Sequence, residues 1–344
     1  MHEIKITEIE NIKIGQVENT EAATGCTVLI CEQGMPAGLD VRGGGPSSRE
    51  SELLKPLAAA SAIHAIVLSG GSSYGLNAGG GVMQYLEEHD IGLDTGICKV
   101  PLVCQSDLYD LTVGDHRIRP DKDMGYQAAR AALEGGNYKD GNYGAGCGAS
   151  VGKWNGMDTC MKAGIGSYAI QIGDLKIGAI VAVNALGDIY DWKTGQKVAG
   201  LLTEDKTAFL DTVEMMLRRT DVIENKFVKD SDNISDSNCE NPSDDSIKSK
   251  LMGNTTLGVI ITNAAFNKSS LCKIAGMAHN GYARSIRPVN TSADGDSIYA
   301  VSTGNVSADQ DLVGTLAADV MSEAILRAVK NCRSAYGLLS AADL

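Results

Sequence analysis

The sequence is poor in aromatic residues and in positive charge. Only 5% of its 344 residues are Phe, Trp or Tyr. The 30 Lys and Arg residues are outnumbered by 43 Asp and Glu, which gives a formal net charge of −13 at pH 7. Nucleic acids and anionic membrane surfaces attract positively charged patches, and no segment of this chain is rich in Lys or Arg. Nucleic acid and membranes are therefore not expected among its partners.

Long apolar stretches and clustered metal ligands are also missing. No apolar run approaches the roughly 20 residues that span a bilayer. The amino-terminal stretch MHEIKITEIENIKIG has no hydrophobic signal core. The nine cysteines include no C-x-x-C pair, and the five histidines are scattered. These absences predict a cytoplasmic protein with ordinary buried thiols, and with no metal or other cofactor.

Apolar residues and glycines, in contrast, are plentiful. The chain is 43% apolar and has 40 glycines, which suits a globular core connected by many tight turns. Short β-branched runs predict strands, and amphipathic periodicity predicts helices. The predicted strands are Thr27–Cys31, Ala65–Ser69, Ile177–Val183, Leu257–Thr262 and Ser297–Ser302. The predicted helices are Ser48–Ala60, Met124–Leu133, Lys206–Leu217 and a long one from about Asp309 to Asn331.

One segment differs from the rest of the chain. Lys229–Lys250 is almost devoid of large apolar residues and rich in Ser, Asp and Asn, which predicts an exposed, flexible acidic loop. Such a loop commonly links two domains. The part of the chain that follows is short for an independent core, so we expect both sides to share one sheet system. The prediction is a single domain, 1–344, with a flexible loop inside it.

The polar segment ends at Asn254-Thr255-Thr256, directly before a predicted strand. A threonine hydroxyl is a weak nucleophile that needs a positioned base. If the peptide bond before Thr255 is cut, the new α-amine lies beside the hydroxyl and can act as that base. The hydroxyl could make the cut by attacking the Asn254 carbonyl and forming an ester that water opens. By local chemistry alone, an ordinary turn entering a strand is the more common explanation.

Other polar residues could assist such a nucleophile, although each has an ordinary structural explanation. Lys153 follows a run of small residues and could present a cation to a developing oxyanion, or it could be a solvated lysine. Asn184 ends the best predicted strand and could donate its amide to the same oxygen. Asp294 and Asp296, around a glycine, could accept hydrogen bonds from an α-ammonium or a hydroxyl, or could cap a turn.

Glycine-rich and serine motifs of other enzyme classes are not matched. The stretch GAGCGASVGKWNG lacks the phosphate-loop spacing, because Trp154 follows Lys153. The stretch LSGGSSYGLNAGGG lacks the G-x-G-x-x-G order of a dinucleotide site. No G-x-S-x-G elbow occurs either. Nucleotide cofactors and the familiar serine hydrolase triad are therefore not predicted.

Taken together and in order, several segments resemble the DmpA/NylC family of L-aminopeptidase/D-esterases, β-aminopeptidases and nylon-oligomer hydrolases. The resemblance runs from about Gly25 to Leu326. The segments that carry it are VRGGGPSSRESELLKP, LSGGSSYGLNAGGGVMQYLEEHDIGLDTG, GDHRIRPDKDMGYQAA, GAGCGASVGKWNG, VAVNALGDI, GNTTLGVIITNAA and MAHNGYARSIRPVNTSADGDSIYAVSTGN.

The resemblance implies an α/β fold, a four-layer αββα sandwich like that of the N-terminal-nucleophile hydrolases but with its own connectivity. It also implies self-cleavage between Asn254 and Thr255 into fragments 1–254 and 255–344, followed by assembly into a homo-oligomer, a tetramer or larger. The family's nucleophile corresponds to Thr255, its lysine to Lys153 and its asparagine to Asn184. Its downstream acidic pair corresponds to Asp294 and Asp296.

The identity of these residues bears on the activity. Aminopeptidases of the DmpA branch have Ser as nucleophile and Ser with Glu downstream, whereas Thr with two Asp is more similar to the nylon-oligomer hydrolases. We therefore predict a self-processing amidohydrolase or aminopeptidase that cleaves small peptides or amide oligomers through an acyl-enzyme on Thr255. An acyl transferase of the ornithine acetyltransferase type, using the same nucleophile, is the alternative.

Overall fold

The computed structural model describes residues 1–218 and 253–344. The acidic loop predicted at 229–250 lies outside the described residues. The helices are α1 (Ala78–Glu88), α2 (Lys122–Leu133), α3 (Thr212–Leu217), α4 (Lys268–Ser285) and α5 (Gln310–Lys330).

The strands fall into two large sheets and several short ladders. The first nine are β1 (His2–Ile4), β2 (Lys13–Asn19), β3 (Thr24–Met35), β4 (Ala37–Val41), β5 (Ser47–Arg49), β6 (Ile63–Ser69), β7 (Leu93–Asp94), β8 (Lys99–Val100) and β9 (Val103–Asp107). The others are β10 (Ser150–Val151), β11 (Met161–Lys162), β12 (Ile165–Ile172), β13 (Leu175–Asn184), β14 (Asp188–Tyr190), β15 (Lys197–Ala199), β16 (Thr255–Ala264), β17 (Ile286–Arg287) and β18 (Ser297–Val306). One sheet has the order β1-β12-β13-β16-β18-β4, and the other has the order β2-β3-β6-β9-β5.

Apolar packing joins these elements into four layers. Helices α4 and α5 pack on the six-stranded sheet, and α1 and α2 pack on the five-stranded sheet. Leu257 and Ile261 of β16 belong to the core between the two sheets, whereas Ile260 belongs to the core under α4 and α5. This alternation follows from the period of two of a strand that is buried on both faces. The predicted αββα sandwich is confirmed.

Strand β16 occupies the centre of the six-stranded sheet. It pairs antiparallel with β13, which places Asn184 opposite Thr255, and parallel with β18, which begins at Ser297 opposite Leu257. The first residues of β16 and β18 and the last residue of β13 therefore lie at one edge of the sheet. Strands from both sides of the undescribed segment are direct neighbours in this sheet.

All the predicted strands lie within strands of the structure, and α2 and α5 confirm two of the predicted helices. The helix predicted at Ser48–Ala60 is wrong, because Ser47–Arg49 pairs with β9 and only Ser51–Leu54 forms a short 3-10 helix. The helix predicted at Lys206–Leu217 is shorter than expected, since α3 begins after the N-cap Asp211.

The glycine-rich stretch after β6 begins helix α1 and allows it to pack closely against α2. A Cβ atom at Gly81 would lie 1.8 Å from the Lys122 carbonyl oxygen, and one at Gly125 would lie 2.0 Å from the Ala78 carbonyl oxygen. Gly81 and Gly125 are therefore needed for the close packing of α1 against α2. Among the described residues, no helix combines the length and apolar character needed to cross a membrane.

Candidate active site

Thr255 is the first residue of β16 and is only 4% exposed. Its hydroxyl donates a hydrogen bond to the carbonyl oxygen of Asn254, which belongs to the peptide bond predicted to be cut. The neighbouring Thr256 hydroxyl is also buried but has no hydrogen-bond partner among the described residues. Of the two threonines at this junction, Thr255 is therefore the one whose hydroxyl lies on the predicted scissile peptide.

A second donor holds the same carbonyl group. The backbone N–H of Gly295 donates to the Asn254 carbonyl oxygen at 2.9 Å. A Cβ atom at position 295 would lie 2.8 Å from the Thr255 hydroxyl oxygen, so a side chain here would collide with the nucleophile. A backbone N–H fixed on a carbonyl oxygen is the kind of donor that stabilises an oxyanion when the carbonyl is attacked.

Asn184 has its side-chain amide fixed from both sides. Its Oδ1 accepts hydrogen bonds from the Ser150 N–H at 3.1 Å and from the Lys153 ammonium at 2.7 Å. Its Nδ2 donates to the carbonyl oxygens of Tyr109 at 2.9 Å and Gly253 at 3.0 Å. With a longer bond of 3.5 Å from the Ser150 hydroxyl, three donors on one side and two carbonyls on the other leave a single chemically sensible orientation of the amide.

Lys153 donates a hydrogen bond to the same carbonyl oxygen as Asn184, that of Gly253. Its Nζ donates to the Gly253 carbonyl oxygen at 2.7 Å and to the main-chain oxygen of Asn184 at 3.0 Å, in addition to the Asn184 side chain. The lysine is 3% exposed, and burial lowers the pKa of its ammonium to about 7, because a charged group is disfavoured away from water. In the uncut chain, Lys153 and Asn184 thus bind the carbonyl one residue before the one that Thr255 contacts.

Asp294 and Asp296 flank Gly295 and are both 1% exposed. Asp296 accepts hydrogen bonds from the N–H groups of Thr256 at 2.7 Å and Asn290 at 2.9 Å. Burial, followed by the nearby Asp294, raises the pKa of the Asp296 carboxyl to about 8. Burial also raises the pKa of Asp294, which accepts hydrogen bonds from the N–H and hydroxyl of Thr291. Burial and the proximity of the two carboxyls thus favour their protonated forms more than water would.

The structure brings all the predicted site residues to one edge of the six-stranded sheet. It also shows groups that the sequence interpretation missed: the Gly295 N–H, the Ser150 N–H and the Tyr109 carbonyl. All three act through the backbone, and only the glycine between two aspartates was visible as a signal. The loop Arg42–Gly45 supports the acidic pair, since the N–H of Gly45 donates to the Asp294 carbonyl at 2.9 Å.

The αββα sandwich described above has a fold of the N-terminal-nucleophile hydrolase type. Solved structures agree on the fold. A β-aminopeptidase of a Burkholderia species superposes with a TM-score of 0.62 at 18% identity, over 98% of this chain and 90% of its own. The L-aminopeptidase D-Ala-esterase/amidase of Ochrobactrum anthropi, described as a variant of the Ntn hydrolase fold, gives 0.63 at 16% identity, with the same coverage.

The chain belongs to peptidase family S58, whose model matches residues 5–340. An uncharacterized aminopeptidase of Mycobacterium leprae is 32% identical over 97% of this chain and 92% of its own length. A 6-aminohexanoate-oligomer endohydrolase of an Agromyces species is 30% identical over 94% of this chain and 85% of its own length. The resemblance to the DmpA/NylC family is confirmed, and the protein is a hydrolase of amide bonds.

Proposed function

We propose that this protein is a self-processing N-terminal-threonine amidohydrolase that cleaves small peptides or amide oligomers. The observation that carries the proposal is the Thr255 hydroxyl, which donates to the Asn254 carbonyl oxygen while the Gly295 N–H holds the same oxygen at 2.9 Å. Nucleophile, electrophile and oxyanion donor are thereby in place before any substrate is present.

Self-cleavage follows from this arrangement in two steps. The Thr255 oxygen bonds to the Asn254 carbonyl carbon, the carbon–nitrogen bond breaks, and the hydroxyl proton ends on the nitrogen of Thr255. Water then opens the resulting ester, which gives the Asn254 carboxylate, restores the hydroxyl and leaves a free α-amine on Thr255. The products are the fragments 1–254 and 255–344.

Substrate turnover repeats the same chemistry with the new α-amine as general base. The amine takes the hydroxyl proton as the oxygen attacks the substrate amide, and the leaving amine departs with a proton. In its protonated form, Lys153 disfavours a second cation nearby and so favours the neutral form of the Thr255 amine. Asp296, which accepts a hydrogen bond from the Thr256 N–H, and its neighbour Asp294 are proposed to orient the amine and hydroxyl.

The oxyanion donor is proposed to be the Gly295 N–H. The assignment of Asn184 to the oxyanion stays a prediction, because its amide binds the Gly253 carbonyl in the uncut chain. Assembly into a homo-oligomer and a cytoplasmic location also stay predictions. The acyl transferase alternative has no support from the comparisons.

Isosteric substitutions at the two neighbouring threonines test the proposal. Thr255→Val removes the hydroxyl while keeping the shape of the side chain, so we expect one uncut polypeptide by intact mass spectrometry and no amide hydrolysis. Thr256→Val is the matched control and should still split before residue 255. Cleavage at that position in Thr255→Val would show that another group is the nucleophile.

A further inference from the structure

The carbonyl group of Gly253 lies in a site with two donors. The Lys153 ammonium donates to its oxygen at 2.7 Å and the Asn184 amide at 3.0 Å. Both side chains are buried, at 3% and 0% exposure. Self-cleavage at Asn254 does not consume this carbonyl, yet its oxygen accepts hydrogen bonds from two buried side chains.

The two successive carbonyls of the cleaved segment are held by different groups. The Gly295 N–H binds the Asn254 oxygen, whereas Lys153 and Asn184 bind the Gly253 oxygen. Asn254 also forms a parallel bridge with Asp294. The two carbonyl groups of this segment therefore have different donors, one set for the attacked carbonyl and another for the carbonyl before it.

The acyl part of a substrate must occupy the same place as this segment. In self-processing, the ester joins the Asn254 carbonyl carbon to the Thr255 oxygen. In turnover, the acyl-enzyme ester joins the substrate carbonyl carbon to the same oxygen. The two esters are chemically equivalent, so the Gly295 N–H serves both, and the next carbonyl of a peptide substrate reaches Lys153 and Asn184.

We propose that Lys153 and Asn184 form an acyl-side subsite for a peptide carbonyl, so that the enzyme prefers α-peptides whose cleaved residue is N-acylated by glycine or a small acyl group over substrates with a free amino terminus. A larger residue at the position of Gly253 would collide with the Tyr109 ring, since a Cβ atom there would lie 2.4 Å from it. The inference rests on the proposed function and deepens it, because it favours cleavage within a peptide over removal of a single amino-terminal residue.

A substrate with a free amine ends at the position of the Asn254 nitrogen. It leaves the two donors without their carbonyl partner in a buried place, and its ammonium adds a positive charge near that of Lys153. When a buried donor is left without an acceptor, the substrate binds more weakly by roughly tenfold or more. A longer spacing between carbonyls, as in amides of ω-amino acids, would also move the second carbonyl out of register with the donors.

Three asparagine 4-nitroanilides distinguish the effect of the acceptor oxygen on the rate of hydrolysis from the effects of the charge and the size of the group on the asparagine nitrogen. One has a free amine, one is N-acetylated, and one is N-thioacetylated, which keeps the neutral shape but replaces the oxygen by a poor acceptor. In the self-cleaved enzyme we expect kcat/KM for the acetyl compound to exceed that of each of the others by about tenfold or more. Equal rates for acetyl and thioacetyl, a faster free amine, or no hydrolysis of any of the three would overturn the subsite.

The variant Asn184→Ala adds a second readout that a merely structural role would not give. A subsite role predicts that the acetyl-to-free-amine ratio falls toward one, whereas an oxyanion role predicts an equal loss on both substrates and an unchanged ratio, which would count against the subsite. The substrate series in the unaltered enzyme decides the proposal even if this variant does not self-cleave. If the proposed function itself is wrong, the protein without any substitution will stay uncut, which distinguishes that outcome from failure of the subsite proposal.

Discussion

Two lysines, Lys153 and Lys162, are both buried and both donate hydrogen bonds to carbonyl oxygens, but the carbonyls belong to different parts of the chain. Lys162 is 0% exposed, and its Nζ donates to the carbonyl oxygens of Gly146 at 3.1 Å, Ala149 at 3.0 Å and Ala163. Burial lowers the pKa of its ammonium to about 8, as it lowers that of Lys153 to about 7.

The difference lies in what the two ammonium groups bind. The three acceptors of Lys162 are two carbonyls of the turn before β10 and the carbonyl of Ala163, directly after β11, and none of them lies in the segment that self-cleavage would release. One acceptor of Lys153 is the Gly253 carbonyl, in the segment that self-cleavage would release. Burial and a lowered pKa are therefore insufficient to identify a lysine as part of a catalytic site. Lys153 differs from Lys162 because one of its acceptors lies in the segment that self-cleavage would release.

The largest expected effect separates the two lysines by activity. Lys153→Met keeps the length of the side chain but removes the donor to the Gly253 carbonyl, so we expect self-cleavage to slow by about tenfold or more. It also removes the cation proposed to keep the Thr255 amine neutral as the general base, so we expect turnover to fall by about 10²-fold or more. Lys162→Met is the matched control and should retain activity at a temperature where it is folded. Timed gels of newly made protein and kcat/KM measure both. Equal losses in the two variants would remove the distinction.

The next effect concerns stability. Lys162→Met leaves three buried carbonyls without their shared donor, so we expect the free energy of unfolding to fall by about 1–3 kcal/mol at pH 7. Chemical unfolding in the uncut Thr255→Val background measures it, because the protein then unfolds as one chain.

The same pair of proteins should respond differently to pH. The pKa of Lys162 is about 8 when folded and about 10.4 when unfolded, so between these values the unfolded chain binds more protons. Stability with Lys162 should therefore increase relative to Lys162→Met as pH rises from about 8 to about 10.4, and the difference should be constant below pH 7. A difference that stays constant from pH 7 to pH 10 would contradict a lowered pKa for Lys162.

The contrast between the lysines also shows what sequence can predict. The β-branched runs of β13, β16 and β18 predicted the strands, and the family motifs predicted that Lys153 and Asn184 meet Thr255 in one site. Lys162 lay outside the predicted site because it matches no motif. Its surroundings come from the pairing of β11 with β10 and from hydrogen bonds of Lys162 to the turn before β10, which no local pattern reveals.

Backbone donors and sheet pairing account for most of the remaining errors. The Gly295 N–H and the Tyr109 carbonyl were missed because a residue's identity does not reveal where its backbone groups point. The segment Ser48–Ala60 has a helical pattern, but hydrogen bonds to β9 give its first residues an extended conformation. In both cases the conformation depends on residues that are distant in the sequence, and a single sequence does not show which residues these are.

The smallest expected effect tests whether the Gly253 carbonyl acts only before the cut. Gly253 has φ = +114°, and a Cβ atom there would lie 2.4 Å from the Tyr109 ring. Gly253→Ala should disfavour the conformation that presents the scissile peptide, and strain of about 1–3 kcal/mol corresponds to self-cleavage slowed by roughly tenfold or more. Gly173→Ala is the control, with φ = +58° and no atom within 4 Å of its Cβ, and should cleave at the normal rate.

Once cut, Gly253→Ala should match the unaltered enzyme in kcat/KM, because a substrate carbonyl then replaces that of residue 253. A cut Gly253→Ala enzyme with lowered kcat/KM would mean that the released end stays in the site, and the contrast with the partners of Lys162 would be lost.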